Sequence, residues 1–173
     1  MNYKIHDLNI AQDSIQDVSD YADTVGYKRA VGTGRRTGGS AARGNLSSYE
    51  YLNTSKVLLN QPLYKKIKGM CEELNIWDFI LVNYFLQLQR KDYLDLQDYW
   101  EGERMIGKFL SIALTENNSI EVDGVVVNVP KYSAIEFSPS QPHAISEVQE
   151  KQTWLVLMVA NYVDVDKAIR SDP

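Results

Sequence analysis

Apolar and polar residues alternate through the second half of the chain in a pattern that predicts β-strands. In the segment 104–114, apolar residues occupy both faces of a period-2 pattern, which indicates a strand covered on both sides. Further strands are predicted at 119–122, 125–129, 133–137 and 153–160. Strands this short and this close in sequence usually close into a sandwich or a jelly roll.

Turn residues separate these strands. Asn117-Asn118 and Asp123-Gly124 supply the residue types that adopt positive φ, so 119–122 and 125–129 are predicted to form a hairpin. Pro130 cannot donate to a strand ladder and therefore ends the second strand.

The first half of the chain mixes helical and strand patterns. Apolar residues recur at helical spacing after Ala11, and Gly26 ends this helix. A second helix has Pro62 in its first turn. The predicted elements are a short strand at 3–8, helices at 11–25 and within 55–74, one or two strands at 77–90, and a turn-like aromatic and acidic segment at 92–103.

Together the patterns predict an α+β fold, a double-stranded β-helix or jelly roll whose N-terminal helices pack on one sheet. No Pro/Ser-rich linker divides the 173 residues, so we expect one domain spanning 1–173. The apolar tail residues Val163, Val165 and Ile169 are expected to add a weak closing contact.

Composition narrows the functional classes. Hydrophobic and charged contents of 44% and 24% are ordinary for a soluble globular protein, and the net charge of -5 argues against a surface that grips nucleic acid throughout. The single cysteine, Cys71, excludes a disulfide framework and a multi-cysteine zinc site, and we expect it to be a buried apolar residue. Without a signal or membrane-spanning pattern, an intracellular, cytoplasmic protein with no membrane partner is expected.

A glycine-rich basic loop is predicted at 31–48, where the glycine density argues against helix and strand. It contains Arg35, Arg36 and Arg43, but no P-loop or dinucleotide-binding motif. Two hypotheses remain for this loop: an arm that orders against an acidic partner or a phosphate backbone, or a solvated insertion without a role.

Two short motifs carry a resemblance to a known family. The first is QLQR at 87–90 followed by LQDY at 96–99, and the second is Pro142-His143 followed by Val148. With the order of elements, they resemble the iron(II)- and 2-oxoglutarate-dependent oxygenases, especially the prolyl-4-hydroxylase-like branch. The resemblance covers about 7–160.

This resemblance implies an iron site of two histidines and one carboxylate, and an arginine that clamps 2-oxoglutarate. The chain has only two histidines, His6 and His143, and His6 is far in sequence from the expected first ligand. Where the family's His-x-Asp pair is expected, the chain has Glu101 and Glu103, and the clamp position falls on Thr153. Only His143 of the triad is therefore expected to remain, with Glu101 and Glu103 as the candidates to join it on a metal.

The missing ligands lead to the hypothesis of a non-catalytic binding or structural protein without a cofactor, a subunit of a larger assembly such as a viral particle, located in the cytoplasm or the virion. Its protein partners would contact aromatic and arginine side chains, which dominate interface energetics. The candidates are Arg35, Arg36, Arg43, Tyr99 and Trp100. Nucleic acid would bind only through the basic loop.

Two alternatives stay open. One is an iron(II)/2-oxoglutarate-dependent hydroxylase with an unorthodox metal site, which would need both cofactors. The other is a binder of small ligands inside the barrel near His143.

Overall fold

The computed structural model describes residues 2–8, 12–33, 46–53, 62–74, 79–97 and 107–161, together with residues 163, 166, 167 and 170. Within these described ranges, α1 is Gln12–Val25 and α2 is Pro62–Glu73. The strands are β1 (Tyr3–Asp7), β2 (Lys28–Thr33), β3 (Leu46–Asn53), β4 (Phe79–Leu88), β5 (Tyr93–Gln97), β6 (Lys108–Ala113), β7 (Asn118–Val122), β8 (Val125–Val129), β9 (Ser133–Phe137), β10 (His143–Ile145) and β11 (Gln152–Ala160).

The strands hydrogen-bond in the order β1-β9-β6-β11-β4-β3-β5-β10-β7-β8, and each of these pairings is antiparallel. Residues 50–53 of β3 pair with β4, while residues 47–48 pair with β5, so β3 connects two halves of the ladder. We call β1, β9, β6, β11 and β4 the major sheet, and β5, β10, β7 and β8 the minor sheet. Strand β2 pairs with β3 outside this path.

The two sheets face each other across an apolar core. Leu94, Val122 and Ile145 of the minor sheet share this core with Leu86 and Trp154 of the major sheet. The sheet therefore folds back on itself into the jelly roll, and the predicted double-stranded β-helix is confirmed.

A second core lies on the other face of the major sheet, where the helices pack. Ile15 and Val18 of α1 and Cys71 of α2 are buried there with Leu155 and Leu157 of β11. Because neighbouring residues of a strand point to opposite faces, β11 contributes to both cores, which explains its continuous apolar sequence. The prediction that the helices pack on one sheet is confirmed.

The predicted hairpin forms β7 and β8. Asp123 and Gly124 have φ of 52° and 79°, and Asn117, before β7, has φ of 62°. These are the left-handed values for which Asn, Asp and Gly are suited, so the turn residues fix the register of this hairpin.

Other expectations need correction. The segment 92–103 contains β5, because pairing with β3 and β10 outweighs its turn-like composition. The loop expected at 31–48 begins and ends inside strands, since β2 extends to Thr33 and β3 starts at Leu46, and the two strands pair antiparallel. The three-residue strand β10 had not been predicted.

At the C-terminus, Val163 is 72% exposed, so the expected closing contact is not made by this residue. In the part of the chain that the structure describes, no helix combines the length and hydropathy needed to cross a membrane.

Candidate functional site

His143 begins β10, the central strand between β5 and β7 of the minor sheet. Its backbone lies opposite Gln97 at the end of β5 and opposite Val122 at the end of β7. The register slips between His143 and Ile145, a bulge of the kind that redirects side chains. His143 is therefore at the end of the barrel where β5 ends.

The hydrogen bond of His143 defines its tautomer. Its Nδ1 lies 2.9 Å from the carbonyl oxygen of Gln141, and because a carbonyl only accepts, Nδ1 carries the proton. Burial lowers the pKa of His143, and the contact with Gln141 only partly opposes this effect. The ring is therefore neutral at pH 7, and Nε2 carries the lone pair that a metal ion would take.

Aromatic and aliphatic side chains surround the imidazole inside the barrel. The ring centroid of His143 lies 5.2 Å from Phe137 and 5.6 Å from Phe109. The cavity beside it has a volume of about 30 Å³, and its other lining residues are Tyr84, Leu86, Leu94, Ser111, Ile120, Ile145, Trp154 and Val156. This volume holds about one or two water molecules.

Thr153, the expected clamp position, lies on the other face of the major sheet. It shares its side of β11 with Leu155, whereas Trp154 fills the barrel interior. Its hydroxyl accepts a hydrogen bond of 3.1 Å from Gln87. The position found by counting from His143 therefore has no access to the barrel.

Of the remaining candidates, His6 lies in the described part of the chain, and it does not face His143. His6 is on the helix-facing side of the major sheet, where its Nε2 lies 3.1 Å from a carboxylate oxygen of Glu136. Lys108 donates to the other oxygen of Glu136 at 3.2 Å. The other predicted site residues lie outside the described part of the chain, namely Arg35, Arg36, Arg43, Tyr99, Trp100, Glu101 and Glu103.

Two buried carboxylates owe their ionisation to local donors. Burial would raise the pKa of Glu136, but hydrogen bonds from Lys108 and His6 outweigh it, and the pKa is lowered. Burial would likewise raise the pKa of Asp92, but donors from Arg29, the Gln89 amide and Ser48 lower it. Both carboxylates are committed to ion pairs, which makes them structural groups.

Sequence reasoning missed Asp98. Gln97 pairs with His143, and Asp98 is the next residue in the sequence. The motif LQDY contains Asp98. Because 92–103 was predicted to be turn-like, the pairing of β5 with β10 was not predicted. Asp98 itself lies outside the described residues.

Several solved structures share the fold of this chain. A viral collagen prolyl hydroxylase from Paramecium bursaria Chlorella virus-1, in complex with 2OG, is 9% identical with a TM-score of 0.62, over 92% of this chain and 96% of that one. A prolyl-4-hydroxylase from Pseudomonas putida is 11% identical with a TM-score of 0.63, over 92% of each chain. A prolyl hydroxylase from Trichoplax adhaerens is 8% identical with a TM-score of 0.66, over 96% of this chain and 86% of that one.

The chain thus has the fold of the 2-oxoglutarate-dependent oxygenases, and the resemblance seen in the sequence is confirmed at the level of fold. No family model matches the chain. No curated protein matches it either.

These comparisons contradict two expectations. The hypothesis of a non-catalytic structural protein is contradicted, because solved structures that share its fold over almost the whole chain include hydroxylases and oxygenases. The expectation that no cofactor is needed is wrong for the same reason, since the matching structures include one with 2OG and one with nickel and 2-oxoglutarate.

The described residues provide one suitable ligand for iron but no cation for 2-oxoglutarate. His143 is a neutral imidazole whose Nδ1–H is held by a carbonyl, the usual arrangement of a metal-ligating histidine. No group of three His, Cys, Asp or Glu residues suited to a metal occurs among the described residues, whereas an iron site of this class needs three protein ligands. The cavity lining contains no cation for the carboxylate of 2-oxoglutarate. The described residues thus fit one ligand of the metal and do not fit the clamp.

Proposed function

We propose that the protein is an iron(II)- and 2-oxoglutarate-dependent oxygenase that hydroxylates an organic substrate. The observation that carries the proposal is the position and tautomer of His143, a neutral ring at the end of the barrel where β5 ends. The similarity of the whole fold to prolyl hydroxylases supports the choice of class.

In this proposal His143 is a metal ligand through Nε2, and a carboxylate of the segment after β5 is a second ligand. Asp98 is the first candidate, because it immediately follows the residue that pairs with His143. Glu101 and Glu103 are the other candidates in that segment. Iron held there would supply the oxidising chemistry of the class.

The test separates metal binding from co-substrate binding. The purified protein is titrated anaerobically with iron(II), then with 2-oxoglutarate, and the visible charge-transfer band of the ternary complex is followed. Succinate is then measured after air is admitted. We expect iron binding and the band in the wild type, and succinate release. A protein that binds neither iron nor 2-oxoglutarate and makes no succinate contradicts the proposal.

The two histidines of the chain provide a matched pair of variants. His143→Ala should abolish iron binding, whereas His6→Gln should retain it, because His6 lies on the other face of the major sheet. Circular dichroism checks that both variants are folded. Equal iron affinity in wild type and His143→Ala would show that His143 is not a metal ligand.

The carboxylate ligand is identified by the variants Asp98→Asn, Glu101→Gln and Glu103→Gln. We expect the variant of the true ligand to lower metal affinity about 10-fold to 100-fold, and the other two to change it less than threefold. The contact of Arg35, Arg36, Arg43, Tyr99 and Trp100 with a protein partner, and a cytoplasmic location, stay predictions.

A further inference from the structure

The outer face of the minor sheet carries a groove that the proposed chemistry does not use. The helices α1 and α2 pack on the major sheet, on the opposite side of the molecule. The groove has a volume of about 780 Å³ and is lined by β5, β7, β10 and their connecting segments. Known ligand clefts have volumes of about 300–1,000 Å³, so this groove is large enough for a ligand.

The local sequence explains the depression. Ala144, at the centre of the face, pairs with Glu121, and its small side chain leaves the middle of the sheet low. The register between β10 and β5 slips from His143↔Gln97 to Ile145↔Leu94, and such a bulge bends the strand. Tyr93 and Pro142 provide apolar walls. Ala144 is only 8% exposed, so the walls offer the contact to apolar side chains.

Carboxylates surround this apolar floor. Four acidic residues line the groove, namely Asp95, Glu121, Asp123 and Glu147, and its lining contains no lysine or arginine. The carboxylate of Asp123 accepts a hydrogen bond of 2.6 Å from Gln141, which fixes it at the rim. The complementary ligand is cationic and also carries apolar groups.

We propose that this groove binds a lysine- or arginine-containing peptide segment, with apolar side chains against Tyr93 and Pro142 and the cations at the carboxylates. A metal ion is not the ligand, since these carboxylates do not form a metal-binding group among the described residues. Nucleic acid is excluded by the sign of the charge. The proposal is independent of the iron chemistry and is tested without metal.

The test uses fluorescence anisotropy with a labelled peptide, Gly-Lys-Leu-Lys-Ala-Lys-Leu-Gly, and the full chain. The same peptide with acetylated lysines tests the need for charge, and spermine tests whether charge alone is sufficient. The double variant Glu121→Gln, Glu147→Gln removes two rim charges. The control, Glu72→Gln with Glu73→Gln, removes the same charge from exposed positions of α2 on the helical side.

We expect the groove variant to weaken binding of the lysine peptide about fivefold or more, and the control to change it less than twofold. Binding should weaken as salt rises, and the backbone amides of Tyr93, Ala144 and Ser146 should shift in NMR spectra of the complex. The proposal is overturned if the wild type does not bind the peptide, if the groove variant binds as tightly, if the acetylated peptide binds equally, or if spermine displaces the peptide at equal concentration.

Discussion

The chemistry open to His143 depends on three neighbours. Gln141 takes the proton of Nδ1, while Phe109 and Phe137 cover the ring and keep it neutral. His6, the only other histidine, instead contacts the carboxylate of Glu136. Two residues of the same type thus have different roles, because one faces an apolar interior and the other faces a charge.

Asp92 shows how a single carboxylate stabilises the turn between β4 and β5. Both of its oxygens lie 2.6 Å from Arg29, and it also accepts from Ser48 and from the amide of Gln89. The Asp92 side chain is 7% exposed and that of Arg29 is 43% exposed. Asp92→Asn removes the charge that pairs with Arg29, and Arg29 then regains part of its hydration, which offsets some of the loss. We expect this variant to lower the free energy of unfolding by about 1–2 kcal/mol.

The pH dependence of this pair has a defined sign. Because folding lowers the pKa of Asp92, its contribution is complete above the unfolded value of about 3.9 and is lost as the pH falls through the folded value. Urea unfolding between about pH 2.5 and 7 should therefore show the wild type and Asp92→Asn converging in acid. Asp17→Asn is the control, because its ion pair with Lys66 is exposed. A difference that stays constant down to the lowest pH would contradict this account.

Gly107 is required by backbone geometry where the chain enters β6. Its φ is +82°, and a Cβ placed there would lie 2.1 Å from the carbonyl oxygen of Val159. Gly107→Ala should therefore destabilise the fold by at least about 2 kcal/mol, through left-handed strain and a clash with backbone.

Gly69, in α2, is the matched control for Gly107. A Cβ there meets nothing within 4 Å, so Gly69→Ala should stabilise the fold by about 0.5–1 kcal/mol. Thermal and urea unfolding measure both variants. Equal effects of the two substitutions would show that local geometry does not control this entry to β6.

At the scale of elements, the sequence predicts a strand correctly where its pairing partner is close in sequence. The β7–β8 hairpin was predictable because Asp123 and Gly124 dictate its turn. Strand β5 was not, because β3 and β10, its pairing partners, are distant in sequence and outweigh its acidic composition. Strand β10 has three residues, too few for an alternating pattern.

The packing of α2 can be followed through Cys71. The thiol is fully buried, and burial, with a smaller effect from Glu72, raises its pKa to about 12. We expect its reaction with a thiol reagent at neutral pH to be slower than in the unfolded chain by a factor on the order of a thousand or more.

The rate is measured with Ellman's reagent, in buffer and in guanidinium chloride. Because Cys71 is the only cysteine, the signal reports α2 alone. A rate in buffer within tenfold of the denatured rate would mean that α2 is not held against the major sheet.

At the scale of the whole molecule, the order of strands and helices was enough to predict the jelly roll. The orientation of individual side chains was not predictable by counting, because a shift of one residue along a strand exchanges the two faces of a sheet. Thr153 was assigned to the clamp in this way, yet Trp154 is the residue that fills the barrel interior. The pairing of Gln97 in β5 with His143 in β10 makes Asp98, rather than Glu101 or Glu103, the first candidate for the carboxylate ligand.

The central claim is that His143 is a metal ligand of an oxygenase. A crystal structure of the protein grown anaerobically with iron(II) and 2-oxoglutarate tests it most directly. The account predicts iron bonded to Nε2 of His143, with the Nδ1 contact to Gln141 retained. Crystals in which iron is absent from the barrel, or bound without His143, would contradict it.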